Sequence, residues 1–354
     1  MNPAIKHAIS PKAILIAFGC ASLVYITMLV LSVVNGSAVL ESIESKMAVQ
    51  SIVFEPPVFV EDISPIIKEQ QALEQESVSG DALPSMDMSS AQEPLPPAPY
   101  DGLTEESQYG LLPVIGKNNL TPFKAYRKPY VVDVNKPVIA IGIKGIGLSQ
   151  SLYDGIFERL VPLVSVILSP YVDNVDDVQK TARAKGYETW MLLPLETKKF
   201  PYDDPGSMGI LAKAGLKFNQ DNFKRVLART SGYAGIATYT DSAFLDSQTM
   251  LNGVLSDAMI RGLGVFEMNT SRDAMSLKLA INNRAPHVAA SIKAQERTIE
   301  QFLTALKKEA QQERRAVGVL NVTPAMLASF QAEIKKAREE GFEIVPLSAL
   351  ADEF

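Results

Sequence analysis

From residue 136 onward the chain switches repeatedly between two periodicities, and that alternation limits the folds open to it. Val138-Ile139-Ala140-Ile141-Gly142-Ile143 is a continuous apolar run, the pattern of a strand covered on both faces. Residues 149–160 follow with apolar side chains at helical spacing. A second apolar run, 163–168, leads to Asp173, a helix-capping residue type, and to a helical face of Val175, Val178 and Ala182 that stops at Gly186. The same reading predicts strands at 188–193, 234–238, 265–268, 316–320 and 342–345. Helices are predicted between them over 221–230, 247–262, 291–314 and 323–341. The longest is 291–314, with Ile292, Ile299, Phe302, Leu303 and Leu306 in one stripe. Thr323-Pro324 pairs a cap with a proline at the first helical position. Strands alternating with helices predict a mainly parallel α/β domain, either a barrel or a doubly wound sheet.

The beginning of the chain reads differently. Residues 13–34, AILIAFGCASLVYITMLVLSVV, carry no charge. As a helix they rise roughly 33 Å, enough to cross a hydrocarbon core of about 30 Å. A cleavable signal has a shorter apolar core of roughly 7–15 residues, so an uncleaved transmembrane anchor is expected over 13–35. Cleavage at Gly36-Ser37-Ala38 is the alternative. Lys6 and Lys12 precede the run, and Glu41 and Glu44 follow it. Positive flanks stay in the cytoplasm, so residues 1–12 are expected there. The rest is expected outside a single-pass inner (cytoplasmic) membrane anchor, in the periplasm of a two-membrane bacterium. Residues 36–108 are rich in Pro, Glu and Ser with no sustained apolar period, which predicts a disordered linker. Residues 109–135 are richer in aromatics and read as an ordered lead-in on the surface of the domain, which spans 136–354.

Composition removes several function classes. Lys and Arg number 34 against 40 Asp and Glu, a net charge of −6, and no basic block stands out, so nucleic acid is not expected as a partner. Cys20 is the only cysteine and lies in the apolar run. An intramolecular disulfide and a cysteine-based zinc site are thereby excluded. The two histidines are His7, before the apolar run, and His287. Gly142, Gly145 and Gly147 sit in GIKGIG, which lacks the order G-x-G-x-x-G of a dinucleotide loop.

Several segments, in order, resemble the divergent polysaccharide deacetylases, a carbohydrate esterase-like family. They are Leu112-Pro113-Val114-Ile115-Gly116, Thr121-Pro122-Phe123, Tyr126-Arg127-Lys128-Pro129, the run IAIGIKGIGLS over 139–149, Leu193-Pro194-Leu195-Glu196, Phe200-Pro201-Tyr202 with Asp204-Pro205-Gly206, and the close from Gly341 through Val345-Pro346-Leu347-Ser348. The resemblance implies an α/β fold, a distorted (β/α)7-type barrel, and metal-dependent removal of acetyl groups from a glycan. It also exposes departures. Where the family has Ile-Asp-Asp-x-Gly after the first strand, this chain has Ile143-Lys144-Gly145-Ile146-Gly147. The family's Asn-Asn-His-Met-Gly-Ser corresponds to Ala237-Thr238-Tyr239-Thr240-Asp241-Ser242, with Tyr239 at the histidine. Its late Gly-His-Pro corresponds approximately to Leu320-Asn321-Val322.

Metal-assisted deacetylation needs an ion held by carboxylate and imidazole, which lowers the pKa of a bound water. A lysine in place of a carboxylate repels that ion by about 4 kcal/mol per charge pair at 4 Å and an effective dielectric of 20. No catalytic residue, metal ligand or cofactor is therefore predicted. Lys144, Glu196, Tyr239, Asp241, Glu267 and Asn321 are candidates for lining a vestigial pocket at the strand ends. Lys144 could meet an anionic or acetylated sugar, Glu196 could accept from hydroxyls, and Tyr239 could stack on a pyranose. Each has a plainer reading as filler, rim charge or ion-pair partner. His287 reads as a hydrogen-bonded core or surface histidine. Together these features predict a membrane-anchored, extracytoplasmic pseudoenzyme of carbohydrate metabolism that binds envelope polysaccharide or a peptidoglycan-related glycan. The alternatives are an active deacetylase with a rearranged site, and a scaffold docking an envelope enzyme or its activator.

Overall fold

The computed structural model describes residues 92–146, 150–239, 248–269, 275–294 and 297–354. The predicted anchor, most of the predicted linker and Asp241 lie outside these. Among the described residues no helix is long and apolar enough to cross a membrane.

The seven predicted strands all form. They are β3 (Val138–Ile146), β4 (Ser165–Leu168), β5 (Thr189–Leu192), β6 (Gly235–Thr238), β7 (Gly264–Glu267), β10 (Arg315–Asn321) and β11 (Glu343–Val345). They pair in parallel in one curved sheet. β3 runs beside β10 over its whole start, Val138 opposite Arg315 and Lys144 opposite Asn321. On its other side β3 pairs first with β11 and then, beyond Gly142, with β4. β4, β5, β6 and β7 continue in sequence order. One further segment meets both edges. Its first half, β8 (His287–Ala289), pairs with β7, and its second half, β9 (Ile292–Lys293), pairs with β10. The arrangement is that of a (β/α) barrel, whose strands are continuous apolar runs because both faces are covered.

Side chains alternate between the two faces. Inward go Val138, Ala140, Ile167, Trp190, Phe266, Val317, Val319 and Val345, which form one buried cluster. Outward go Ile139, Ile141, Ile143, Val166, Met191, Val265 and Ile344, which join the helices in a second. Gly142 faces in. A β-carbon there would lie 2.9 Å from the Phe266 ring and 3.2 Å from Leu347. The helices are α2 (Gln150–Arg159), α3 (Val175–Ala184), α4 (Leu216–Leu227), α5 (Gln248–Ile260), α6 (Met275–Asn283), α7 (Ile299–Glu313) and α8 (Leu327–Glu339), after a short α1 (Pro122–Tyr126) in the lead-in.

Four expectations change. The ordered domain starts earlier than residue 109. Leu95 and Leu103 are buried, and β1 (Thr104–Ser107) makes an antiparallel hairpin with β2 (Gly110–Pro113). The lead-in is not confined to the surface. Thr121 caps α1 by accepting from the Lys124 amide at 3.2 Å, and Pro122 occupies its first turn. That turn inserts Phe123, fully buried, edge-on against Trp190 at a centroid distance of 6.3 Å. The long C-terminal helix begins at Ile299, where Thr298 and Gln301 form a reciprocal capping box. Ile292, read as part of its stripe, belongs instead to β9, because an isolated apolar residue satisfies either period. The helix predicted over 221–230 runs from Leu216 to Leu227.

The barrel floor is tied by Glu188. Its fully buried carboxylate accepts from Ser165 Oγ at 2.9 Å, Trp190 Nε1 at 2.8 Å, the Lys128 amide at 3.0 Å and the Ser348 amide at 3.2 Å, and also from Ser348 Oγ. One side chain thus joins the lead-in, two strands and the C-terminal segment.

Candidate functional site

In parallel α/β folds ligands bind where the strands end, since the loops there vary while the strands hold them in place. The alternation along β3 directs Lys144 inward, in line with Val138, Ala140 and Gly142. Along β6 it directs Tyr239 inward as well, and the tyrosine packs against the inner cluster. β4 and β5 separate these two strands. Even so, Lys144 Nζ donates to Tyr239 Oη at 2.5 Å, across the mouth of the barrel. The ammonium is 5.0 Å from the ring centroid. With so short a contact to the hydroxyl, that distance puts it out beyond the oxygen and not above the ring face, so the interaction is a charge-assisted hydrogen bond and not a cation–π contact. Burial pulls the Lys144 pKa below the ordinary lysine value, and the carboxylate of Asp203 opposes that shift. Asp203 therefore lies within electrostatic reach of the mouth, although nothing in its sequence context marked it.

Asn321 is opposite Lys144 in the β3–β10 register and is exposed, at the rim. Glu196 is half-buried at the start of the excursion between β5 and α4. Its Oε2 accepts from the Ala212 amide at 3.0 Å, and its own amide donates to the Ile210 carbonyl at 2.9 Å. It pins the two ends of that excursion together.

Glu267 is not on the rim. It shares the parity of Val265 and points away from the barrel interior, fully buried between β7 and α6. Its carboxylate accepts from the Asn269 amide and from Ser276 Oγ, both at 3.0 Å. Ser276 Oγ also lies 3.0 Å from His287 Nε2. A serine has one proton. If it goes to the carboxylate, the imidazole must donate from Nε2. Burial lowers the His287 pKa to about 4, so the ring is neutral. The serine stands between acid and imidazole with all three buried, an arrangement that fastens a helix to two strands and offers no reachable nucleophile.

Lys293 is a residue that sequence reasoning missed by assigning it to a helix. On β9 it donates to Asn269 Oδ1 at 2.5 Å, beyond the end of β7. Recognising 287–293 as a strand was the only route to it.

Among the described residues no three of His, Cys, Asp and Glu are grouped so that they could hold a metal ion. Where strand-end ligands would be needed, the inner layer offers an ammonium, a phenol and an amide. An ammonium has no lone pair to give, and its charge opposes a cation. The described residues here do not fit a divalent ion.

Residues 141–351 match a family described as divergent polysaccharide deacetylase. The crystal structure of an uncharacterized protein from Agrobacterium tumefaciens C58 is 28% identical, with a TM-score of 0.64 over 68% of this chain and 99% of that one. A "putative cellobiose-phosphate cleavage protein" from Enterococcus faecalis V583 is 13% identical, with a TM-score of 0.43 over 60% of this chain and 98% of that one, a likeness too slight to bear on the fold. No curated protein matches the chain.

Proposed function

Because the chain belongs to the divergent polysaccharide deacetylase family, we propose that it recognises an acetylated envelope polysaccharide at the strand-end mouth without removing acetyl groups by the metal route. The observation that carries this reading is the Lys144–Tyr239 hydrogen bond. It occupies the mouth with a donor and a donor–acceptor, groups suited to hydroxyls and acetamide carbonyls and unsuited to a cation. Loss of the family's strand-one acids, at Lys144 and Gly145, supports the same reading. The apolar run at 13–34, with Lys6 and Lys12 before it, supports an anchor in the inner membrane with the domain in the periplasm, where such glycans are found.

Elemental analysis of the purified chain, a deacetylase assay on acetylated glycan and a pull-down on insoluble peptidoglycan test this together. Binding with no stoichiometric metal and no acetate release is expected. Acetate release that a chelator abolishes and added metal restores would reject it.

A further inference from the structure

Among the described residues four aromatic side chains are strongly exposed, and two of them lie close together on the excursion between β5 and α4: Phe200 at 42% and Tyr202 at 97%. Exposed apolar residues scattered singly are ordinary, whereas grouped ones mark a binding surface. This group leaves from the carboxyl end of β5, on the same side of the barrel as Lys144 and Tyr239.

The excursion is held in shape. Tyr171 Oη donates to the Pro205 carbonyl at 2.6 Å and accepts from the Met208 amide at 3.0 Å. Thr197 Oγ1 donates to Asp203 Oδ2 at 3.1 Å, and the Tyr202 amide donates to the Lys199 carbonyl at 2.8 Å. Glu196 closes its base on Ala212. The rings are thus presented by a backbone already ordered, which reduces the entropy lost on binding.

The excursion leaves β5, which pairs directly with β6, the strand that leads into Tyr239, and Asp203, next to Tyr202, is the acid whose charge acts on Lys144. Lys198, Lys199, Asp203 and Asp204 flank them in the chain, two cations against two anions. That balance favours an uncharged ligand over a polyanion. A pyranose ring has an apolar C–H face to lie on an aromatic ring and a rim of hydroxyls for flanking charges.

Building on the glycan reading of the mouth, we propose that Phe200 and Tyr202 form a second sugar subsite. It would take a neutral pyranose unit neighbouring the one held at Lys144 and Tyr239, so that the protein selects a glycan chain over a single sugar.

The test is calorimetric titration of the full-length chain with β-1,4-linked N-acetylglucosamine oligomers, from monosaccharide to hexasaccharide. Affinity of the parent should rise with length. Tyr202→Ala should bind the longer oligomers about tenfold more weakly than the parent, and Phe200→Ala should do so to a lesser degree. Ile260→Ser, which alters an exposed apolar residue elsewhere on the domain, is the control and should bind like the parent. Tyr202 is almost wholly exposed, so its replacement leaves the fold intact, to be checked by thermal melting. If Tyr202→Ala keeps the parent's full length dependence while Lys144→Ala weakens binding at every length, the second subsite is overturned and the mouth reading stands. If the parent binds no oligomer at all, the mouth reading falls and the subsite with it.

Discussion

Lys144 and Tyr239 sit 95 positions apart in the chain on strands separated by two others, and they share a hydrogen bond of 2.5 Å across the barrel mouth. Its energetics can be separated from its role in recognition. Tyr239→Phe keeps the ring and deletes this acceptor, leaving a largely buried ammonium short of one partner. A loss of about 1–3 kcal/mol is expected. Lys144→Met with Tyr239→Phe removes both polar groups and should recover most of it. Urea denaturation of the two variants checks the order; a double variant less stable than Tyr239→Phe would contradict it.

His287 makes stability depend on pH. Burial lowers its pKa to about 4, against about 6.5 in an unfolded chain. Between those values the unfolded state binds more protons, so stability falls as pH falls. The contribution is complete above pH 6.5 and is lost progressively down to pH 4, amounting to about 3 kcal/mol. His287→Gln can still donate to Ser276 and does not titrate. The stability difference between parent and variant should shift toward the variant on acidification across this window, and a difference that is flat with pH would disprove the assignment.

Glu188 holds the floor through five hydrogen bonds from Ser165, Trp190, Lys128 and Ser348. Glu188→Gln replaces one acceptor oxygen with a donor that faces donors. Hydrogen bonds to a charged group contribute about 1.5–3 kcal/mol each, so a destabilisation of at least about 3 kcal/mol is expected. Loss of the lead-in's protection from protease, or from amide exchange around Lys128, should accompany it.

The proposed topology predicts that a reporter fused after Phe354 is active only when exported. A cytoplasm-only reporter that works at that position would rule out the periplasmic placement.

The order of the barrel was legible in the sequence because strands covered on both faces must be apolar throughout, and helices covered on one face must be apolar every third or fourth residue. Those rules act within a few residues, so seven of the nine strands of the sheet were found from local pattern alone. The family could be read in the same way, since its motifs are continuous in the chain. The departures at Lys144, Tyr239 and Asn321 were visible by the same alignment of motifs.

Only the tertiary structure decided what those residues touch. Whether an acid at a strand end faces the mouth or the helices turns on a single step of parity, and on β7 that step sends Glu267 outward to Ser276 and His287. Residues 287–293 were ambiguous because a short apolar segment satisfies both periods until it has neighbours, and its neighbours, β7 and β10, are distant in sequence. Phe123 enters the barrel floor because Trp190 and Gly264 leave a space of its shape, a fact of packing that no local pattern records. The sequence alone determined the order of seven strands and the helices between them; closure of the barrel decided which side chains meet, because contact across the barrel depends on distance in space and not on spacing along the chain.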